Sequence, residues 1–220
     1  MRIVPHAHRV IALGLTVGAL SACGEVKSSH SSELRMTSTQ FADVATSIST
    51  NASLAIELSA QFDYAPASRI VAVRYTLRNR GETAIAVFDR GDANSLAAER
   101  HKLGDVGIPR MRVDGEDVIL EHLVEPLPND IDIASPPTPV AIEVPPGASI
   151  DGHFEFALEG TVTPKRLRWC VGAMRVGDAH MESPVQTAAG KLWSASFGVV
   201  EKQQRVCTQP YSVERAAFVD

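Results

Sequence analysis

The 220-residue chain predicts an all-β fold, a single antiparallel β-sandwich of about nine strands with at most one short helix. Three observations carry that expectation. Apolar and polar residues alternate along 54–62, 71–77 and 150–158, the period of a strand with one buried and one wet face. Turn-forming pairs, Asp114-Gly115 and Pro146-Gly147 among them, punctuate the runs. Only the window 94–104 spaces its apolar residues as a helix would.

In chain order, the N-terminus comes first. Met1 to Arg9 holds Arg2 and Arg9 and no acid, and Val10 to Leu20 is an apolar run. A membrane-spanning helix needs about 17–25 apolar residues, so this run reads as the core of a signal peptide. Leu20-Ser21-Ala22-Cys23 follows it. This order of parts resembles the signal of bacterial lipoproteins, whose lipobox it matches. The resemblance implies a signal peptide over 1–22, cleavage before Cys23, a diacylglyceryl group on the Cys23 sulfur and an acyl chain of the palmitate type on its amino group. More than one chain anchors stably, since each buried CH2 contributes about 0.8 kcal/mol. Gly24 stands where Asp would favour inner-membrane retention. The resemblance therefore places the lipid in the outer membrane and the globular part in the periplasm.

Residues 24–40 hold five serines, two threonines and almost no large apolar group. They read as a tether with a span of about 20–25 Å. The ambiguous stretch from Phe41 extends it, giving a flexible tether over 23–50, a sandwich over 51–212 and a tail over 213–220. The chain from Cys23 carries 19 basic and 26 acidic residues, a net charge of −7, and no cluster of Lys and Arg along the sequence. Nucleic acid is therefore not an expected partner.

Within the domain, Leu54, Ile56, Leu58, Ala60 and Phe62 point inward on the first strand, and Val71, Val73, Tyr75 and Leu77 on the second. Asn79-Arg80-Gly81-Glu82 reads as a turn with Gly81 at positive φ, leading to a returning strand at Ile85–Phe88. Asn94 or Ser95 caps a short helix that Gly104 ends. Arg90-Gly91-Asp92 spells an adhesion tripeptide, too short a word to outweigh chance. A hairpin about Asp114-Gly115 spans 109–124, and five prolines make 126–139 a loop. Val140, Ile142 and Val144 form a strand that ends in a type II turn at Pro146-Gly147. Ile150, Gly152, Phe154, Phe156 and Leu158 face inward on the next strand, and Leu167, Trp169, Val171 and Ala173 on the one after. Residues 177–190 read as loop. The last strand region runs from Leu192 to Thr208, with a bulge at Gly198. The strand and turn at 71–81 and the Pro-Gly turn before 150–158 resemble those of bacterial immunoglobulin-like accessory domains. That resemblance implies an immunoglobulin-like sandwich and no activity.

His101, His122, His153 and His180 form no metal-binding pair. Copper on His180, Met181 and Met174, or calcium on Asn129, Asp130 and Asp132, is outweighed by ordinary solvated-loop roles. No nucleophile elbow or zinc-protease motif occurs, and the acid pair Glu116-Asp117 sits in a turn. No cofactor, metal or catalytic residue is therefore expected. With Cys23 lipidated, Cys170 and Cys207 remain. Each has the parity of the polar face of its strand, so the two are expected to pair as a cross-strand disulfide on the outer face. The expected function is a non-enzymatic binding or structural module of the cell envelope, with a protein or envelope polymer as partner and 126–139 and 177–190 as binding loops. The alternative is a periplasmic enzyme or metal carrier with a site on the loops.

Overall fold

The structure, a computed structural model, describes residues 45–127, 130, 137–177, 180–182 and 184–219. The lipobox, Cys23, most of the expected tether and most of the proline-rich loop, Asn129 and Asp132 included, lie outside the described residues. No helix among the described residues is long and apolar enough to cross a membrane.

The described residues form an all-β arrangement of two sheets with one five-residue α-helix, α1 (Ala93–Ala97), and one 3-10 helix, Phe197–Glu201. The smaller sheet orders β1 (Thr46–Asn51), β2 (Ile56–Ala65), β3 (Ile70–Asn79) and β8 (Ser149–Ala157) as β1-β2-β3-β8. The larger sheet holds β4 (Ile85–Val87), β5 (Arg110–Asp114), β6 (Asp117–His122), β7 (Val140–Val144), β9 (Arg166–Arg175), β10 (Val185–Thr187), β11 (Gly190–Ser194), β12 (Gln204–Cys207), β13 (Tyr211–Ser212) and β14 (Ala217–Phe218). Strand β9 is its hub. It pairs with β4 and β6 along one edge and with β12 and β13 along the other.

The alternation read from the sequence is the inner lining of the structure. Leu58, Val71, Val73 and Leu77 of the small sheet and Leu167, Trp169, Val171 and Ala173 of the large one are all fully buried in one core. Tyr75 and Trp169 meet across the two sheets with ring centroids 4.3 Å apart. Gly152 lies under the Tyr75 ring, and any side chain there would collide with it.

Several expectations are corrected. Among the described residues fourteen strands replace about nine, because short edge segments such as β10, β13 and β14 are too brief to show a period. Residues 46–51 are not tether but edge strand β1, paired along its whole length with β2. Its sequence hid this: Ser47 is the buried residue and Ile48 the exposed one, since β1 is an edge held by hydrogen bonds. The Ser47 hydroxyl accepts a hydrogen bond from the Gln209 amide at 3.0 Å. The expected tail likewise carries β14, which pairs with β13. Residues 185–190 of the expected loop belong instead to the β10–β11 hairpin, whose second strand reaches into the expected strand region at Leu192. The sheets are not purely antiparallel: β6 runs parallel to β9, reached through the long excursion over β7 and β8 that a parallel pair requires.

The Asn79–Glu82 segment is not a hairpin turn. It carries the chain from the small sheet to the large one, where β4 pairs with β7 and β9. Buried Asn79 fixes this corner by donating to the carbonyls of Thr83 (2.8 Å) and Val144 (3.0 Å) and accepting from the Gly81 amide. That contact stabilises an ordinary backbone at Gly81, which does not adopt positive φ. The helix is capped by Asp92 rather than Asn94 or Ser95, its carboxylate accepting from the Ser95 amide at 2.9 Å, and it ends at Ala97, well before Gly104. Gly198 belongs to the 3-10 helix and not to a bulge. The turns at Gly115 and Pro146-Gly147 fall where expected, with φ of +62° and +72° at the glycines. The Ala148 amide closes the latter turn on the Pro145 carbonyl at 3.1 Å.

Candidate functional site

The outer face of the large sheet, turned away from the common core, divides into two halves along β9. At the C-terminal half of β9, Met174 joins Ala86, Phe88, Val124, Ala141, Ala195 and Val199 in a second, smaller apolar cluster. The 3-10 helix and Met181 cover it. Of the residues weighed for copper and set aside, Met181 lies in that cover and Met174 in the packed cluster. Among the described residues, no group of three metal-ligating side chains occurs.

The boundary between the halves is set at Gly172. The Gln203 amide lies directly over it, donating to the Val124 carbonyl at 2.5 Å and accepting from the Val124 amide at 3.0 Å. Beyond that clasp the face opens. Strand pairing aligns Arg112 with Ile119 and Ile119 with Arg168, and sets Arg205 beside Gly172. These side chains, with Arg166, Asp114, Asp117, Thr50 and Asn51, line a cleft of about 520 Å³.

The disulfide is part of this site. Cys170 and Cys207 face each other across β9 and β12 as expected, and their sulfurs are bonded, with Cα atoms 4.0 Å apart. The bridge should add roughly 3–4 kcal/mol in the chain-entropy model. The expectation that both cysteines lie on a wet surface is corrected for Cys170, which is fully buried beneath the charged layer. Cys207 lines the cleft.

The charges in the cleft are unequally matched. Arg166 grips Asp117 through two bonds of 2.7 Å, and this pairing raises the Arg166 pKa above its ordinary value. Arg112 and Arg205 converge on one carboxylate, Glu121, which is 6% exposed. Arg112 also reaches Asp114 at 3.5 Å. Arg168 has no carboxylate partner among the described residues. Its Nε donates to the Thr208 carbonyl at 2.8 Å, which aims the guanidinium while leaving its terminal nitrogens unused. Four arginines thus face three carboxylates, in a chain of net negative charge. Beyond the Arg166–Asp117 pair a second hollow of about 1080 Å³ continues past Lys165, Glu214 and Arg215.

A separate polar network lies inside the core. The Tyr75 hydroxyl donates to buried Asp89, and the indole Nε1 of Trp169 donates to His122 Nδ1 at 2.9 Å. His122 Nδ1 is therefore an acceptor, and Nε2 carries the proton and donates to the Gly107 carbonyl at 2.9 Å. Burial pushes the His122 pKa below its ordinary value, and burial together with Asp89 holds Tyr75 well above its own. Arg90 Nε lies 3.1 Å from Asp89 Oδ1 but neither atom is aligned for a hydrogen bond, so that contact is purely Coulombic. Arg90 is buried and donates to the Gly104 carbonyl at 3.0 Å, so the Arg90-Gly91-Asp92 tripeptide is not displayed for adhesion. His101 contacts the Arg90 carbonyl, and His153 lies on the opposite sheet. His101, His122, His153 and His180 therefore share no site.

The cleft residues escaped the sequence reading because they stand at 112, 166, 168 and 205, far apart in the chain. The expected binding loop 126–139 lies largely outside the described residues. Compared with protein-family models, with curated proteins and with solved structures, the chain matches none.

Proposed function

We propose that the chain is a periplasmic lipoprotein, held in the outer membrane through lipid on Cys23, whose β-domain is a non-enzymatic binding module. The arginine cleft carries this reading: it is the open, charged half of a face whose other half is packed shut. Its partner is an anionic group of a protein or envelope polymer, and the adjoining hollow past Lys165 gives an extended ligand somewhere to run. The Cys170–Cys207 bond supports an oxidising compartment. The facing sets β1-β2-β3-β8 and β7-β4-β9-β12 support an immunoglobulin-like sandwich to which β5, β6, β10, β11, β13 and β14 are additions. Cleft carboxylates Asp117 and Glu121 are engaged by arginines, which favours binding over acid–base chemistry.

Metabolic labelling with palmitate tests the anchor. The full chain should incorporate label and fractionate with outer membrane, while Cys23→Ala should lose both. Label retained by Cys23→Ala would overturn the lipoprotein reading.

A further inference from the structure

Resting on that binding reading, we propose that the arginine cleft is a phosphate site, which takes the phosphate group of a phosphorylated envelope component. Three features of the cleft select this chemistry. Its guanidinium groups enter from separate strands: Arg112 from β5, Arg168 from β9 and Arg205 from β12. Arg112 and Arg168 stand in register on either side of β6, so their Cα atoms are about 10 Å apart at ordinary strand spacing. A tetrahedral oxyanion presents oxygens in several directions and can accept from donors arriving from several sides. A planar carboxylate offers its acceptor sites in one plane and pairs best with a guanidinium fork lying in that plane, as Asp117 does with Arg166.

The second feature is charge. Arg112 and Arg205 share Glu121, and among the described residues Arg168 is held by a backbone carbonyl alone. The site therefore has cationic excess and oriented donors before any ligand arrives. The third is its floor. Ile119 lies between Arg112 and Arg168, and the Cys170–Cys207 bridge lies beside them. An apolar floor excludes water from beneath the bound group and strengthens charge-assisted bonds to it. Thr50 and Asn51 of the small sheet add a hydroxyl and an amide at the rim. At about 520 Å³ the cleft has room for a phosphate together with part of the molecule bearing it.

The test uses the full lipidated chain in detergent micelles or in phosphatidylcholine nanodiscs. Pyrophosphate and inorganic phosphate are titrated calorimetrically, with polyglutamate as a carboxylate polymer. Vesicles containing phosphatidylglycerol, against vesicles of phosphatidylcholine alone, are tested as competitors for pyrophosphate bound to the nanodisc-anchored chain. Pyrophosphate should bind saturably and weaken with added salt. Arg168→Ala and Arg205→Ala should each weaken it by about tenfold or more while circular dichroism stays unchanged, and Arg168→Lys should restore part of the loss. Pyrophosphate binding that phosphatidylglycerol vesicles fail to displace assigns the phosphate to a soluble or polymeric source. Displacement by phosphatidylglycerol vesicles but not by phosphatidylcholine vesicles assigns it to a lipid headgroup. Binding of polyglutamate but not of pyrophosphate would overturn the phosphate assignment and leave the binding module standing. Absence of binding by every probe, or affinities unchanged in both alanine variants, would overturn both.

Discussion

The two halves of the outer face of the large sheet share strand β9 and the same alternation of side chains, yet they end in opposite states. Around Met174 the face is apolar and covered by the 3-10 helix. Around Arg168 it is charged and open. Between them stands Gly172, bare of side chain so that the Gln203 amide can cross to Val124. The difference teaches that a strand's outer face is not uniformly a solvent face. Whether it is core or surface depends on what another part of the chain lays over it, and the side chains match that cover.

Substitution at Met174 gives the largest expected effect. Met174→Ala removes a buried side chain from the covered half and should lower unfolding stability by about 2–5 kcal/mol, read from the denaturant midpoint. A loss below about 0.5 kcal/mol would mean that the 3-10 helix is a loose flap and that the two halves do not differ.

Ionisable groups sharpen the same contrast. His122 is buried and neutral, with a pKa depressed by burial. Below pH of about 6.5 the unfolded chain binds a proton that the folded chain does not, so stability must fall as pH drops from there toward the lower folded pKa. The slope from this one group is at most about 1.4 kcal/mol per pH unit. Tyr75 acts at the other end. Its raised pKa means that stability is lost as pH rises above about 10, where the unfolded phenol ionises first. Unfolding free energy measured against pH should show both flanks, and His122→Gln should flatten the acidic one. An acidic flank identical in His122→Gln would show that other groups set it.

The smallest expected effect belongs to the open half. Arg168→Ala leaves no buried carboxylate unpaired, because among the described residues Arg168 holds only the Thr208 carbonyl, and stability should change by no more than about 0.5 kcal/mol. A loss comparable to that of Met174→Ala would make Arg168 a structural residue and the charged half part of the fold.

Much of the fold was legible in single residues. Period-two runs named the inner face of β2, β3, β8 and β9, because a strand between a core and another medium must alternate. The parity of Cys170 and Cys207 placed both on the outer face of neighbouring strands, and they are bonded there. The Gly115 and Gly147 turns followed from local backbone preference. Strand β1 was not legible, since its buried residue is Ser47 and its exposed one Ile48. Asn79 and Gly81 read as a hairpin turn for want of any local sign that Asn79 would anchor a corner between sheets.

The sequence by itself determined the strand faces, the tight turns and the disulfide partners, because each depends on residues adjacent in the chain or on the parity of one strand. Only the tertiary structure decided which strands are neighbours. Arg112, Arg168 and Arg205 lie far apart in sequence and become one cleft through the pairing of β5, β6, β9 and β12. Pairing of that kind joins positions tens of residues apart, and no local pattern records it. The same holds for the cover over Met174: its burial is a property of the 3-10 helix laid across it, not of β9.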